Sequence, residues 1–412
     1  MNALAQDTSQ LAAGDARWTE ALTTGMRAEA LRAGFDLAGV AACPAADDPE
    51  GSLTAERFSA WVADGNAGEM DYLKRVDAAG DLLRRSARVA LPWARSIIVC
   101  AMNYQADGPY SIDAEQDEAH GTGWIARYAW NGDERGQAVD YHDDLLTRLR
   151  RVEDWLKSRA DCQSRCYVDT GPLLERDFAQ RAGVGWIGKN TCVLNQEFGS
   201  WLLLGVIVTS LPVELTLDLA PDRCGSCTRC IDACPTGALV AARQMDASLC
   251  IAYLTIEKKG DIPEQLREAM GRQVFGCDIC QEVCPWNSKA PVAVKDGLLP
   301  RKELMNPSLD WLADLDPAGF KRAFAGSPLE RTKLVRLQRN VAIAMGNSGE
   351  AAFRPRLELW REGDNPALAE AAGWALSHLG DAVNDSASID AEQVARNSSA
   401  GPGDEFDSSS DG

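Results

Sequence analysis

Cysteine spacing between Cys224 and Cys284 constrains this chain more than any other feature of its sequence. Two runs stand out, Cys224-Gly-Ser-Cys227-Thr-Arg-Cys230-Ile-Asp-Ala-Cys234-Pro and Cys277-Asp-Ile-Cys280-Gln-Glu-Val-Cys284-Pro. Three closely spaced cysteines with a fourth before proline are typical of iron–sulfur proteins, in which three thiolates hold one cubane and the fourth reaches a second one. The spacing therefore predicts a segment folded around two [4Fe-4S] clusters that carry single electrons.

One thiolate of that pattern is missing from its usual place. An ordinary two-cluster ferredoxin has a cysteine three residues before Cys277, where this chain has Val274, and we expect Cys250 to replace it. Structural zinc and disulfides are the alternatives, but zinc sites repeat paired Cys-x-x-Cys units. Crossed ligation assigns Cys224, Cys227, Cys230 and Cys284 to one cluster, and Cys250, Cys277, Cys280 and Cys234 to the other.

The rest of the chain is long enough for further domains, since it has 412 residues. Helical patterns such as Asp143–Ser158 alternate with apolar strands such as Trp201–Val208, which predicts an α+β first domain. Two later helices, Leu334–Met345 and Pro366–Leu379, end at glycine and resemble part of a helical repeat. In order, we expect a flexible N-terminus (1–18), an α+β catalytic domain (19–215), a ferredoxin-like domain (216–290), a HEAT-like helical segment (291–380) and a disordered acidic tail (381–412).

Charge and hydropathy restrict the setting of the protein. No apolar stretch reaches the roughly 18 residues of a membrane span, and the N-terminal residues lack the features of an export signal, so we expect a cytoplasmic protein without a membrane partner. The net charge of −19 disfavours nucleic acid as a partner, but residues 317–349 contain six basic residues and only one acid, Glu330. That segment predicts a local surface for a polyanion.

A dense polar stretch between Tyr167 and Thr191 contains the candidate catalytic residues. A short strand places Asp169 at its carboxyl end, and a later glycine-rich turn presents Lys189, Asn190 and Thr191. Ends of strands are frequent positions for catalytic side chains. Asp169 as the cap of a helix beginning near Pro172 is an equally good interpretation of the residue type alone.

Together, these motifs resemble the epoxyqueuosine reductase family. The resemblance rests on the stretch from Asp169 to Thr191, both cysteine runs, Cys250-Ile-Ala-Tyr-Leu-Thr-Ile-Glu and Cys284-Pro-Trp-Asn287, and it extends from about residue 20 to 380. It implies an oxidoreductase that uses cobalamin and two [4Fe-4S] clusters. Such an enzyme reduces the epoxide of epoxyqueuosine, at the wobble position of certain tRNA anticodons, to queuosine.

The resemblance also implies roles for individual residues. Asp169 resembles the family's proton donor, and a dry pocket beside the corrin would keep its carboxyl protonated. Asp140-Tyr141-His142 begins like the Asp-x-His-x-x-Gly motif of other cobalamin proteins, but Leu145 replaces the glycine, so His142 is not expected to bind cobalt. Asn131–Val139 is an insertion relative to the family. Positions that match the family's cobalamin pocket are Arg84, Ala126, Arg127, Asp140, Asp169, Val193 and Leu204.

The basic segment then gains a candidate partner. Lys333, Arg336 and Arg339 lie on one predicted helix and would bind tRNA phosphates, although a solvated helix face is the usual role of such residues. A protein electron donor is expected because the sequence shows no nicotinamide or flavin motif, and the chain is expected to be a monomer. Two rival interpretations are a dedicated electron-transfer protein without cobalt and a reductive dehalogenase, which typically carries a twin-arginine export signal.

Overall fold

The computed structural model describes residues 18–45, 47–113, 121–213 and 220–379. Residues 1–17 of the predicted flexible N-terminus and the predicted acidic tail at 381–412 lie outside the described residues, as does the domain boundary predicted at 215 and 216. Among the described residues, no helix combines the length and the apolar character that a membrane span requires.

The described strands are β1 (Leu37–Ala42), β2 (Ser96–Asn103), β3 (Trp124–Ile125), β4 (Asn131–Gly132), β5 (Ser164–Tyr167), β6 (Trp186–Ile187), β7 (Val193–Leu194), β8 (Leu202–Thr209), β9 (Gln273–Phe275) and β10 (Leu299–Pro300). Four of them form the main sheet, in the order β1-β2-β8-β5, and all neighbours in it are antiparallel. The part of the chain that forms this sheet also contains helices. It therefore has the mixed helix and strand content expected from the sequence.

The described α-helices are α1 (Glu20–Arg32), α2 (Pro49–Ala63), α3 (Ala87–Ala90), α4 (Tyr141–Lys157), α5 (Glu175–Arg181), α6 (Arg229–Asp232), α7 (Ile251–Ile256), α8 (Glu264–Arg267), α9 (Ile279–Glu282), α10 (Leu309–Ala313), α11 (Pro317–Phe324), α12 (Lys333–Ser348), α13 (Arg354–Arg361) and α14 (Pro366–His378). Asp140 begins α4 by accepting a hydrogen bond from the backbone N–H of His142, which satisfies one of the free donors of the first turn.

The main sheet is covered by helices on both faces. Ile98 belongs to a core that α1 and α4 complete, whereas its neighbour Ile97 belongs to a core that α5 completes. Successive side chains of a strand point to opposite faces, so β2, which is buried along its whole length, needs apolar residues at nearly every position. This explains why its sequence is a continuous apolar run.

A third core joins the cysteine-rich segment to the C-terminal helices. β3 pairs in parallel with β9, and Trp124, Phe275, Val341 and Trp374 belong to the same buried cluster. α12 packs against α14, which also contacts α13. One hydrophobic core therefore crosses the domain boundary predicted at residues 290 and 291.

Candidate functional site

The first group of cysteines surrounds a single cavity. Cys224, Cys227 and Cys230 of the first run and Cys284 of the second line a cavity of about 260 Å³. The packing of α6 against α9 brings the two runs together. Four thiols around one cavity are the donor set that a cubane requires, and they are the four that crossed ligation assigns to one cluster.

The second group of cysteines is also assembled. Cys250 lies close enough to Cys234 and to Cys277 for their charges to interact, and Cys280 interacts likewise with Cys277 and Cys250. Burial is the largest cause of the raised pKa of the Cys250 and Cys277 thiols. Val274, which replaces the expected cysteine, is buried in the third core instead. The donor set therefore fits the second cluster with Cys250 as the substitute ligand.

The glycine-rich turn connects both cysteine groups to a larger cavity. Lys189 donates a hydrogen bond to the carbonyl oxygen of Cys227 at 2.9 Å, beside the first group. The Asn190 amide donates to the carbonyl oxygen of Cys280 at 3.3 Å, in the second group. Thr191, with a backbone φ of 67°, lines the larger cavity. The turn presented by the sequence thus lies between the electron carriers and the space where a substrate would bind.

Asp169 lies on a wall shared by two cavities of about 620 and 630 Å³. Its φ of 57° is in the left-handed region, which costs a non-glycine residue on the order of 1–3 kcal/mol and is common at functional sites. Helix α5 begins only at Glu175, after Leu174, and has no side-chain cap. The interpretation of Asp169 as a helix cap is therefore wrong.

The two cavities form a space suited to a large ring. They share Tyr72, Arg84 and Asp169, and one of them is walled by apolar side chains from β8, including Leu204. Glu175 adds a buried carboxylate oxygen that has no hydrogen-bond partner among the described residues. A broad apolar-faced corrin with polar amide arms fits such a lining, since amide groups can satisfy the orphaned oxygen.

Asp169 belongs to a network that the sequence did not predict. His142 Nδ1 lies 2.5 Å from a carboxylate oxygen of Asp140, and its Nε2 lies 3.6 Å from an oxygen of Asp169. Arg331 enters from a neighbouring 3₁₀ turn, with one guanidinium nitrogen 2.8 Å from His142 Nε2 and another 3.7 Å from Asp169. The signal that could have found it was the Asp140-Tyr141-His142 motif, read as a hydrogen-bonding pair rather than as a cobalt ligand.

The charges of this network decide the protonation of its members. The close approach of the His142 imidazole is the largest cause that holds the pKa of Asp169 below its usual range, and Arg331 and Arg84 act in the same direction. These neighbouring cations favour the carboxylate of Asp169, and the protonated Asp169 expected beside a bound corrin stays a prediction.

His142 responds in the opposite sense. Burial alone would lower the pKa of its imidazole, but the hydrogen bond to Asp140 and the nearby Asp169 carboxylate outweigh burial and raise the pKa. Glu175, a second residue that the sequence analysis missed, has its pKa raised to about 8 by burial first and by the charge of Asp169 next. The raised pKa values of His142 and Glu175 thus favour protons on these two neighbours, whereas the lowered pKa of Asp169 favours its ionised form.

The predicted cobalamin contacts divide into two sets. Arg84 lines both cavities and donates to the carbonyl oxygen of Leu173 at 3.2 Å, and Leu204 lines one of them. Ala126, Asp140 and Val193 line neither cavity.

Arg127 corrects the prediction for that position. Its side chain is fully buried, donates to the carbonyl oxygen of Pro109 at 2.8 Å and lies 4.6 Å from the ring centre of Trp130. The guanidinium is therefore a structural element of the core and cannot contact a corrin.

The predicted phosphate-binding residues also have different environments. Lys333 is exposed, and Arg336 lines one cavity while donating to the carbonyl oxygen of Ile256 at 2.7 Å. Arg339 is only 1% exposed and donates to the carbonyl oxygens of Leu254 and Lys258. Arg339 therefore cannot reach a phosphate, and this prediction is wrong because helix periodicity turns its side chain into the core.

Two family models match this chain. One is described as epoxyqueuosine reductase QueG, DUF1730, and matches residues 84–170, which include the strand leading to Asp169. The other is described as a 4Fe-4S double cluster binding domain and matches residues 223–287, the span that contains both cysteine runs. The two matches coincide with the two halves of the site.

Similar proteins and structures agree with these matches. An epoxyqueuosine reductase of Gloeobacter violaceus is 40% identical over 331 residues, which cover 79% of this chain and 95% of that protein. The Escherichia coli enzyme of the same name is 33% identical, with 84% and 86% covered. A crystal structure of epoxyqueuosine reductase with a tRNA-Tyr epoxyqueuosine-modified stem loop has a TM-score of 0.75 at 31% identity, with 92% and 95% covered. The chain therefore belongs to the epoxyqueuosine reductase family.

Proposed function

We propose that this chain reduces the epoxide of epoxyqueuosine in a tRNA anticodon to the alkene of queuosine. The observation that carries the proposal is the placement of Asp169 on the wall shared by the two large cavities, one of which also contains Thr191 of the turn that contacts both cysteine groups. An acid, a space for a large cofactor and a route for electrons are thus contiguous.

The overall chemistry fixes what the protein must supply. Conversion of an epoxide into an alkene consumes two electrons and two protons and releases the oxygen as water. Bound cobalamin would supply a low-valent, nucleophilic metal, which the electrons carried by the two clusters regenerate. Asp169 would protonate the oxygen as the carbon–oxygen bond breaks, because expulsion of an unprotonated oxygen is costly. Arg84 and Leu204 are proposed to hold the corrin, with Ala126, Asp140 and Val193 as more distant supports.

The tRNA would approach over the cavity mouth formed by the turn before α12. Arg331 is exposed there and lines the same cavity as Arg336, and Lys333 follows it in the chain. Phosphates are attracted to such a cationic rim even on an acidic protein. Salt screens the distant acidic residues, whose influence extends only about 8 Å at physiological ionic strength. The HEAT-like character of the helices that carry this rim is part of the proposal.

The remaining features are proposed on chemical grounds. Electrons would enter from an acidic one-electron carrier at the first cysteine group, whose Cys227 is exposed. A tRNA substrate and cysteines that must stay reduced to bind iron favour the cytoplasm as the location. A monomer suffices, because one chain contains every residue that the proposal uses.

Substitution of Asp169 tests the function directly. Asp169→Asn keeps the shape of the side chain but cannot deliver a proton, so turnover of epoxyqueuosine tRNA should fall on the order of 10²–10⁴-fold. Cobalamin binding, followed by its visible absorbance, should persist. Wild-type chain loaded with both cofactors that leaves the epoxide intact would reject the function, whereas an Asp169→Asn variant with normal turnover would reject only this residue's role.

A further inference from the structure

Reduction of an epoxide to an alkene needs two protons at one oxygen atom, and a single carboxyl group holds only one. If Asp169 serves this oxygen, it must be reloaded before each turnover is complete. In this structure the pKa of Asp169 is also lowered, since His142, Arg331 and Arg84 all favour its ionised form. A neighbouring group that holds a proton at neutral pH is therefore required.

His142 has the geometry for that task. Its Nδ1 is 2.5 Å from the Asp140 carboxylate, which is an acceptor only, so this nitrogen carries a proton in both charge states of the imidazole. The opposite nitrogen, Nε2, points toward Asp169 at 3.6 Å. The side chain is only 12% exposed, so its exchange with bulk water is restricted.

Arg331 interacts differently with the protonated and the unprotonated form of His142 Nε2. A guanidinium donates hydrogen bonds and never accepts them, so the 2.8 Å contact from Arg331 requires an unprotonated Nε2. The 3.6 Å approach to Asp169 is attractive only when Nε2 is protonated. The two contacts therefore belong to two different states of one imidazole, a charged one that faces Asp169 and a neutral one that Arg331 stabilises.

We propose that His142 stores a proton for the reaction and passes it from Nε2 to Asp169, so that Asp169 can protonate the departing oxygen twice in each turnover. This inference rests on the proposed function. In the transfer, the Nε2–H bond breaks and an O–H bond forms on Asp169, which leaves a neutral imidazole with its Nδ1 proton still donated to Asp140. Water then returns a proton to Nε2, and no electrons move. His142 acts through Asp169 and is a positioning and relay residue.

The groups that face His142 account for its titration. Asp140 caps α4, the helix that carries His142, while Asp169 follows β5 and Arg331 comes from the turn before α12. The phenols of Tyr141 and Tyr128 pack nearby, and burial raises the pKa of both, so they remain neutral. The two carboxylates raise the pKa of His142 and Arg331 lowers it.

Nuclear magnetic resonance can measure this coupling without catalysis. The chain has only three histidines, so imidazole signals of the full-length protein with its clusters, before cobalamin is added, can be assigned by substitution. The pKa of His142 should lie above the ordinary value of about 6.5, fall in Asp169→Asn and rise in Arg331→Gln. A pKa that neither substitution moves would overturn the proposal.

The pH dependence of turnover provides the second test. Because the proton-bearing imidazole is the active form, wild-type kcat should be high below the pKa of His142 and fall as the pH rises through it. His142→Asn keeps an N–H group for Asp140 but has no proton to release, so this limb should disappear and kcat should fall on the order of 10²-fold. His378→Gln, which removes a histidine from the end of α14, is the matched control and should keep the wild-type profile.

The possible failures are distinguishable. A wild-type holoenzyme without any activity would reject the proposed function itself. An active wild type whose alkaline limb survives in His142→Asn would reject the relay alone. Loss of that limb in Glu175→Gln would then identify Glu175 as the second proton source instead. Unchanged cobalamin affinity in His142→Asn would exclude loss of the cofactor as the cause.

Discussion

Two arginines one turn apart on α12 have different roles. Arg336 lines a cavity and is part-buried, whereas Arg339 is 1% exposed with its guanidinium bonded to backbone carbonyls. Desolvation lowers the pKa of Arg339 to about 10, so the group still carries its charge at neutral pH. Residue type and spacing predicted a charged helix, but only the packing of α12 decides which charges are accessible.

Arg339 should therefore contribute to stability and not to RNA affinity. Arg339→Ala leaves the carbonyl oxygens of Leu254, Lys258 and Gly260 without this donor, and the unfolding free energy should decrease by roughly 2–4 kcal/mol. Anaerobic denaturant unfolding measures this loss. Lys333→Glu, on the exposed side, should leave the unfolding midpoint nearly unchanged and instead reduce the salt dependence of tRNA binding by about one unit of slope. Equal effects on stability would contradict this division of roles.

Sequence and structure agree best where chemistry fixes the spacing. The gathering of eight cysteines into two groups could be predicted, including the place of Cys250, because a cubane imposes ligand number and order. The state of Asp169 could not, since the side chains that set its pKa, His142 and Arg331, are distant from it in the chain. Such long-range electrostatics is visible only after the fold brings the residues together.

At the scale of elements, close contact between helices limits which residues are allowed. On α12, a Cβ added to Gly346 would lie 2.8 Å from the Cα of Ala375 on α14, a distance that forces one backbone to move. On α14 itself, a Cβ added to Gly373 would meet no atom within 4 Å. Close approach of the two helices therefore requires glycine at position 346, whereas no neighbouring atom requires it at position 373.

These glycines make a matched pair of substitutions. Gly346→Ala should destabilise the protein by about 1–3 kcal/mol, because the cost of overpacking exceeds the gain in helix propensity. Gly373→Ala should stabilise it by roughly 0.5–1 kcal/mol, since only the propensity term remains. Thermal unfolding of both variants measures the difference, and a stabilising Gly346→Ala would show that α12 and α14 do not pack as closely as described.

The boundaries of helices and strands could be predicted from local periodicity, but the arrangement of these elements in space could not. The predicted helix Asp143–Ser158 corresponds to Tyr141–Lys157, and the predicted strand Trp201–Val208 corresponds to Leu202–Thr209. Within the strand order β1-β2-β8-β5, the pairing of β2 with β8 joins residues about a hundred positions apart or more, as in Ser96 with Thr209. No local pattern contains that pairing, because both faces of the sheet are apolar and periodicity gives no preferred partner.

At the scale of the whole molecule, the charge is unevenly distributed. The net charge is −19, but Lys189, Arg223 and Arg229 line the cavity of the first cysteine group, and no carboxylate among the described residues lines it. An acidic electron carrier would be repelled by most of this protein and attracted at this cavity. Repulsion elsewhere and local attraction together would orient the carrier toward the exposed Cys227.

Charge reversal at this cavity tests the proposed entry point for electrons. Arg229→Glu should slow reduction of the clusters by an acidic flavoprotein or ferredoxin on the order of tenfold at low salt, and high salt should abolish the difference. Reduction by a small cationic dye should not slow, because it needs no docking surface. Lys157→Glu makes the same change in net charge at an exposed position on α4 and is the control. Equal slowing in both variants would attribute the effect to total charge and contradict a specific docking surface, whereas slowing in Arg229→Glu alone would support electron entry at the first cluster.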